Sequence, residues 1–228
     1  MRFKDALNYK RTRYKGEHRE LMSRLYQPLS NIFLWFFLKI GISANGVSFG
    51  MFLCTVFGLF LMFYSLNTFV FGAVLLYIAQ VWDYTDGDVA RETKIFSNFG
   101  LLWDGLHHTF QELLMFPAAG FAATQILLTK GVSYYQLPLV LGIIISISFI
   151  VMQRLKFFVE HKLQVKDDRE LRKGWIVLFY GEWIKLWIIL IPVFYLFGVL
   201  DILIYIAFVW SIIRMPLIAA KLMLRCME

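Results

Sequence analysis

The sequence predicts an all-α, polytopic integral membrane protein in which six transmembrane helices follow an N-terminal interfacial amphipathic helix. Three observations lead to this prediction. Of the 228 residues, 59% are hydrophobic and 18% are aromatic, more than a soluble domain of this size requires. Six apolar stretches reach the length of about 20 residues that a helix needs to cross a bilayer. Basic residues are concentrated in some of the connections between these stretches, which is typical of membrane topology.

The predicted elements follow one another in three parts. Residues 1–27 are a basic segment without the apolar centre of a targeting peptide. Residues 28–43 contain an apolar run that is too short to span a membrane. We expect a helix that lies in the interface there, with the basic segment held against anionic headgroups. Residues 44–228 form one six-helix membrane domain. Its spans are expected at approximately 44–65, 68–91, 99–128, 134–160, 174–198 and 201–223.

Basic residues also predict the orientation of these spans. They crowd the N-terminal segment and the connection between the fourth and fifth spans, whereas the connections around Leu66, Gly131 and Gly198 contain only Lys130. Because basic connections remain on the cytoplasmic side, we expect both termini to be cytoplasmic. The same distribution accounts for the net charge of +7, so the sequence predicts no nucleic-acid partner.

A cluster of acids lies where the second predicted span ends and the third begins. Each residue advances a helix by about 100°, so the cluster falls on one face of each helix. Its members are Asp83, Asp86, Gly87 and Ala90 in the second span and Gly100, Asp104 and His108 in the third. Neighbouring carboxylates in a medium of low dielectric repel one another unless cations lie between them. Carboxylate oxygens suit Mg²⁺, Mn²⁺ or Ca²⁺, and the cluster therefore predicts a cytoplasmic site for divalent cations.

The order and spacing of these residues resemble the signature of the CDP-alcohol phosphotransferase (CDP-alcohol phosphatidyltransferase) family, D-x2-D-G-x2-A-R-x8-G-x3-D-x3-D. The positions that match in register are Asp83, Asp86, Gly87, Ala90, Arg91, Gly100 and Asp104. His108 stands where the family has its fourth aspartate. The resemblance implies transfer of a phosphatidyl or related phosphoalcohol group from a CDP-linked donor to a hydroxyl acceptor in phospholipid biosynthesis. CMP is released in this reaction, and residues 44–228 are then the catalytic domain of a membrane-bound homodimer.

Carried over residue by residue, the resemblance implies three sets of site residues. The metal ligands, for Mg²⁺ or Mn²⁺ in two sites, are Asp83, Asp86, Asp104 and His108. The catalytic residues are Asp104 and His108. The residues that bind the CDP-linked donor are Gly87, Ala90, Arg91, Gly100 and Asn45.

Physical reasons accompany some of these assignments. Gly87 lets the nucleotide approach the backbone, and the planar fork of Arg91 can pair with two oxygens of a diphosphate. Asn45 and Ser48 resemble the family's Pro-Asn-x-x-Thr start and are expected to support the nucleotide pocket. The alternative is that either residue caps the first span. Asp88 lies about 140° from Asp83, which predicts a solvated charge or one placed behind the metal ligands.

His108 leaves several interpretations open. A neutral imidazole can ligate a metal or accept a proton from the acceptor hydroxyl, but it cannot bridge two cations as a carboxylate does. A second metal is therefore expected to bind more weakly or differently. His107 is the alternative base because it lies about 20° from Gly100 on the same face. A degenerate site, or a buried histidine with structural hydrogen bonds, is the remaining alternative.

Other ionisable residues within the predicted spans carry weaker hypotheses. Glu182 and Arg214 lie at similar depths in the fifth and sixth spans, which predicts an ion pair or a site for the acceptor. Arg154 and Lys156 are candidate anchors for a phosphate on the acceptor, although basic side chains at this depth commonly extend to the interface.

A rival function remains open at this point. The chain is either the transferase that the resemblance implies or a catalytically weak relative that binds CDP-lipid or metal as a regulatory or scaffold subunit. Release of CMP distinguishes the two. The residues do not indicate which alcohol is the acceptor.

Overall fold

The computed structural model describes residues 21–95, 97–157 and 183–227. These residues are helical with no strand among them. In chain order the helices are α1 (Leu21–Ile40), α2 (Ala44–Tyr64), α3 (Leu66–Thr93), α4 (Asn98–Thr129), α5 (Leu137–Phe157), α6 (Trp183–Leu196) and α7 (Leu200–Met227). Among the described residues, α2, α3, α4, α5 and α7 are long and apolar enough to cross a membrane. The predicted all-α membrane fold is therefore confirmed.

Two predicted boundaries, the start of the span at 174–198 and the start of the first helix, do not coincide with the helix boundaries that the structure describes. The predicted span at 174–198 begins outside the described residues, and its described part is the shorter apolar helix α6, so the total of six spans is not confirmed. Helix α1 is already formed at Leu21, before the predicted start at Pro28. That start was placed where the apolar run from Pro28 to Ile40 begins. The helix includes the preceding turn because the buried Tyr26 ring packs 5.2 Å from Tyr77 and 5.5 Å from Tyr84.

The end of α1 has a local cause. Gly41 adopts a φ of +77°, a conformation that glycine reaches without steric cost. The amide of Ile42 then donates a hydrogen bond of 3.0 Å to the carbonyl of Phe37, which is the pattern of a Schellman cap. Ile42 and Phe37 also belong to one hydrophobic cluster, as this cap usually requires. The chain is thereby turned from α1 into α2.

The contacts divide the chain into two compact units, and the boundaries between the units fall within α2, α3 and α4. Of the described residues, those within Met1–Phe60 and Phe71–Phe110 form the first unit, and those within Leu61–Val70 and Gln111–Glu228 form the second. In the first unit α1 packs along α3, where Phe37 lies 5.2 Å edge-on to Trp82. Helices α2 and α3 meet at their backbones, because a methyl group on Gly58 would lie 2.8 Å from the carbonyl oxygen of Gly72. Such small residues allow close packing of membrane helices.

In the second unit, the remainder of α4 packs against α5. A methyl group on Gly120 would overlap the carbonyl oxygen of Pro138, and one on Gly142 would overlap that of Phe116. The ring of Phe116 also stacks 5.6 Å from Phe149. Helix α7 packs on α5 and on α6. At Gly120 and Gly142 the contact between α4 and α5 is thus made backbone to backbone.

This close contact yields a prediction about stability. Gly142→Ala forces the backbone of α4 or α5 to move, and overpacking of this kind costs about 1–3 kcal/mol. We expect the melting temperature of the purified protein in detergent to fall by roughly 2–10 °C. The matched control is Gly105→Ala in α4, where an added methyl group has no neighbour within 4 Å and alanine favours the helix. Equal melting temperatures for the two variants would contradict the packing described.

Candidate active site

A cleft of about 520 Å³ lies in the first unit, where α2 begins, α3 ends and α4 begins. Nine of the residues singled out in the sequence line it. They are Asn45, Ser48, Asp83, Asp86, Gly87, Ala90, Arg91, Gly100 and Asp104. The residues that helical periodicity grouped within α3 and α4 therefore share one surface with Asn45, Ser48 and Arg91, which the resemblance had added.

Three side chains meet at one end of this group, and we refer to Asp83, Asp104 and His108 as the trio. The Nε2 atom of His108 lies 3.4 Å from Oδ1 of Asp83 and 3.5 Å from Oδ1 of Asp104. Asp104 and His108 are four residues apart on α4 and so share a face, while Asp83 comes from α3. The possible ligand atoms of the trio all lie within 4.8 Å of one another.

The orientation of Asp83 is fixed by a residue that the sequence analysis missed. The side chain of Gln80 is fully buried one turn earlier on α3, and its Nε2 donates a hydrogen bond of 2.7 Å to Oδ2 of Asp83. The other oxygen, Oδ1, is the one that lies beside His108. A glutamine three residues before an aspartate on a helix is the local signal that would have predicted this contact.

Asp86 is held differently. The hydroxyl of Ser48 in α2 donates a hydrogen bond of 2.8 Å to Oδ2 of Asp86, and the amide of Gly87 donates one of 2.5 Å to Oδ1. Each oxygen of an ionised carboxylate can accept further bonds, so Asp86 keeps capacity for a cation or a donor group in the cleft. Ser48 therefore positions an acid of the cleft.

The alternative that Asn45 or Ser48 caps α2 does not agree with the structure. The cap is Ser43, whose Oγ accepts a hydrogen bond of 3.3 Å from the amide of Gly46. Asn45 and Ser48 lie inside the helix, within its first two turns. Both are therefore available to the cleft.

Ser97 connects the start of α4 to α2 and was also missed. Its Oγ accepts a hydrogen bond of 3.2 Å from the amide of Gly100, which caps α4, and donates one of 2.6 Å to Oδ1 of Asn45. A Cβ atom at Gly100 would lie only 3.1 Å from that same Oδ1. Gly100 thus permits the close approach of α4 to the start of α2.

Arg91 lies at the cleft against a buried acid. Its Nη2 atom is 2.6 Å from Oδ1 of Asp88, and the Asp88 side chain is 0% exposed whereas that of Arg91 is 40% exposed. Asp88 is therefore not the solvated charge that was one of its two expected roles. A buried carboxylate needs a charged partner, and Arg91 three residues later supplies it. This pair holds the guanidinium close to Gly87, where an added Cβ would lie 3.3 Å from it.

His107 and His108 have distinct surroundings. His107 is fully buried, and its Nδ1 lies 2.6 Å from Oγ1 of Thr55 in α2. His108 is 37% exposed and contacts the two acids of the trio. The centroids of the two rings are 4.9 Å apart. This arrangement favours His108 over His107 as the base or ligand and gives His107 a packing role.

The remaining charged candidates lie in the second unit or outside the described residues. Glu182 is outside them, so its expected ion pair with Arg214 stays a prediction. The guanidinium carbon of Arg214 lies 4.7 Å from the centroid of the Phe149 ring. Arg154 is exposed on α5, and Lys156 belongs to the same helix.

The donor set of the trio fits a divalent cation. It offers two carboxylate oxygens and one imidazole nitrogen at mutual distances that a single ion with bonds of about 2.0–2.3 Å can bridge. Without a cation, two carboxylates in this position would repel each other. Asp86, on the same cleft, supplies further oxygen donors.

The helices and the cleft together define the class of protein: a membrane-embedded helical protein with a set of acids suited to divalent cations beside an arginine. The family model for CDP-alcohol phosphatidyltransferase matches residues 42–213, and the chain belongs to that family. Its members are phosphotransferases of lipid biosynthesis and generally use divalent metals. A search of curated proteins and a search of solved structures each gave no significant match.

Proposed function

We propose that this protein transfers a phosphatidyl or related phosphoalcohol group from a CDP-linked donor to a hydroxyl acceptor and releases CMP. One observation carries the proposal. The trio of Asp83, Asp104 and His108 adjoins the same cleft that Arg91 and Asn45 line. A diphosphate needs opposite charge along its length, which Arg91 provides directly and which a divalent cation held by the trio would also provide.

The surroundings of the cleft support a lipid-linked donor. Its lining includes Ile95 and Leu101, two residues that are 59% and 69% exposed. Exposed aliphatic side chains next to a polar cleft suit a ligand with a charged head and acyl chains that remain in the bilayer. CDP-diacylglycerol has this form, and it is the donor that we propose.

The residues of the cleft divide the work of the reaction. A divalent metal, when bound, neutralises the diphosphate and stabilises charge on the leaving oxygen. Arg91, held by Asp88, pairs with diphosphate oxygens, and Ser48 keeps Asp86 turned into the cleft. Asp104, with the oxygen that does not hold the metal, accepts the proton of the acceptor hydroxyl as that oxygen bonds to phosphorus and the bond from phosphorus to the CMP oxygen breaks, and His108 would hold the metal. The products are the phosphodiester and CMP.

We also propose that the cleft and both termini face the cytoplasm. The three connections with few basic residues lie together within the second unit. The Tyr195 hydroxyl donates to the carbonyl of Leu66 at 2.5 Å, and Lys130 donates to that of Gly198 at 2.9 Å. Connections that meet in this way share one side of the membrane, which supports assigning the basic connections to the other side. A homodimer, implied by the family, is part of the same proposal.

Helix α1 is proposed to lie against the lipid interface; most of the basic segment 1–27, expected against the headgroups, lies outside the described residues. One stripe of α1 is apolar and exposed, at spacings of three and four residues. Its members are Leu25, Leu29, Ile32, Phe36 and Ile40. The opposite stripe, which includes Tyr26 and Leu34, is buried. A helix that is apolar on its exposed side as well suits contact with acyl chains.

The test of this function is the release of CMP by the purified protein in detergent. CDP-diacylglycerol, a divalent cation and a panel of acceptors (glycerol phosphate, inositol phosphate, serine and free amino alcohols) are incubated together, and CMP and the lipid product are quantified by mass spectrometry. We expect CMP and one phosphodiester in equal amounts with one acceptor class. Donor binding without CMP release for any acceptor would instead favour a regulatory or scaffold subunit.

A prediction about donor affinity concerns Arg91. Arg91→Lys retains the charge but loses the fork that pairs with two diphosphate oxygens, so we expect donor binding to weaken by about tenfold or more. Isothermal titration calorimetry with CDP-diacylglycerol in detergent measures this change. The control is Lys94→Arg, a conservative exchange at an exposed position just beyond α3. Unchanged affinity in Arg91→Lys would mean that Arg91 serves only to neutralise Asp88.

A further inference from the structure

We infer that the trio selects a divalent transition ion over Mg²⁺, with Zn²⁺ and Co²⁺ ahead of Mn²⁺ and Mn²⁺ ahead of Mg²⁺, because His108 is a direct nitrogen ligand. The inference rests on the proposed function in so far as the trio is taken to be a metal site. It concerns the position where this chain departs from the family signature.

The donor set is the first argument. Asp83 and Asp104 each present a carboxylate oxygen and His108 presents Nε2. Imidazole nitrogen suits transition ions such as Zn²⁺, whereas Mg²⁺ prefers oxygen donors and gives up its water reluctantly. For a nitrogen and oxygen site, affinity rises from Mn²⁺ through Co²⁺, and Zn²⁺ also binds more tightly than Mn²⁺.

The spacing of the donors is the second argument. The Nε2 atom of His108 lies 3.4 Å and 3.5 Å from the two carboxylate oxygens. Two ligands of a tetrahedral ion with bonds of about 2.0–2.1 Å are about 3.3–3.4 Å apart. In octahedral Mg²⁺ coordination, adjacent ligands are only about 2.9–3.0 Å apart. The two separations from the nitrogen are therefore closer to the tetrahedral value than to the octahedral one.

The supports of these side chains are the third argument. Buried Gln80 holds one oxygen of Asp83, so that the other lies beside His108. The His108 ring packs 4.9 Å from His107, which is itself held by Thr55 at 2.6 Å. Groups that orient metal ligands in this way typically contribute 10–100-fold to metal affinity. His108 is thus positioned as a ligand and does not depend on the metal to order it.

The negative charge of the trio also favours a transition ion over Mg²⁺. With His108 neutral the trio carries two negative charges, and an aspartate at position 108 would add a third. Binding of a hard cation such as Mg²⁺ depends strongly on the number of charged oxygen ligands. A transition ion loses less by this exchange because the nitrogen is a ligand that it favours. Histidine in place of aspartate at position 108 therefore weakens the binding of Mg²⁺ more than it weakens the binding of Zn²⁺ or Co²⁺.

The experiment measures binding without turnover. Full-length protein in detergent, freed of any histidine tag and stripped with a chelator, is loaded with Mn²⁺, and pulsed EPR detects ¹⁴N nuclei coupled to the ion. We expect ¹⁴N coupling in the natural protein and in His107→Gln, and its loss in both His108→Asp and His108→Asn. Circular dichroism and melting temperature establish that each variant is folded. Using two variants at position 108 means that failure of one to fold does not remove the test.

A competition titration supplies the second readout. The ratio of Co²⁺ to Mg²⁺ affinity should fall by about tenfold or more in His108→Asp. Absence of ¹⁴N coupling in the natural protein, its persistence in the folded His108 variants, or an unchanged affinity ratio would overturn the inference. Failure of the proposed function is distinguishable, because it consists of no CMP release while the ¹⁴N coupling is present. CMP release with Mg²⁺ and no nitrogen ligand would overturn the inference alone.

Discussion

Asp83→Asn and Asp104→Asn each reduce CMP release by more than about 100-fold. Removing a residue that only orients a metal ligand typically costs about 10–100-fold in activity, and these variants alter a ligand itself. Each change takes away one negative charge from a site in which two carboxylates face His108. The variants are assayed for CMP release over a range of Mg²⁺, Mn²⁺ and Zn²⁺ concentrations. A partial recovery of activity at high metal concentration is expected, since the remaining ligands bind the ion weakly.

The matched control for these variants is Glu92→Gln. Glu92 lies on α3 like Asp83, carries the same charge and is exposed, and it is not among the residues that line the cleft. We expect the activity of this variant to stay within about twofold of that of the natural protein, since an exposed charge that does not line the cleft interacts weakly with it through solvent. Full turnover by Asp83→Asn or Asp104→Asn would refute a metal-dependent reaction at the trio.

His108→Ala reduces the turnover number more than the affinity for the donor, because the residue would hold the metal that stabilises charge during phosphoryl transfer. Loss of this ligand is expected to cost about 10–100-fold in rate, since two carboxylates remain to hold the ion. His108→Asp restores the carboxylate of the family signature and is expected to preserve or raise activity with Mg²⁺. Initial rates at saturating donor, measured for both variants with Mg²⁺ and with Mn²⁺, provide the comparison.

His107→Gln is the control for the neighbouring histidine. The glutamine amide can still hydrogen bond to Thr55, so we expect a folded protein with most of its activity. Turnover by His108→Ala at the natural rate would show that position 108 does not take part. If only His108→Asp released CMP, the natural protein would be a degenerate relative that binds without transferring.

The fold and the trio follow from periodicity in the sequence. Apolar composition, the length of the apolar stretches and the basic connections predicted the all-α membrane class, and the rule of about 100° per residue placed Asp83 on one face of its helix and Asp104 and His108 on one face of the next. This works because both helices are regular over these turns and are joined by the short segment 94–97. The family model over residues 42–213 agrees with the class that the signature indicated.

Contacts between distant helices were not predictable in the same way. Ser48 reaches Asp86 and Thr55 reaches His107 only because α2 packs at one particular register against α3 and α4. That register is set by close backbone contacts such as the one at Gly58, which depend on tertiary packing. Composition and spacing within one helix carry no information on it.

Other features could be read from the sequence, but the prediction considered the wrong neighbouring residue. Asp88 was judged by its angle to Asp83, whereas the decisive relation is to Arg91 three residues later, which pairs with it. The start of α1 was placed at Pro28, although buried Tyr26 extends the helix beyond it. Ser97 stands three residues before Gly100, as expected for an N-cap.

The central claim is that the cleft of the first unit is the metal-dependent site for the CDP-linked donor. A structure of the protein with CDP-diacylglycerol and Mn²⁺, with the metal located by its anomalous scattering, tests it most directly. We predict that the anomalous peak locates a manganese ion bonded to Asp83, Asp104 and His108. The diphosphate is expected in the cleft beside Arg91. A diphosphate bound outside this cleft, or a manganese ion with no ligand from the trio, would contradict the claim.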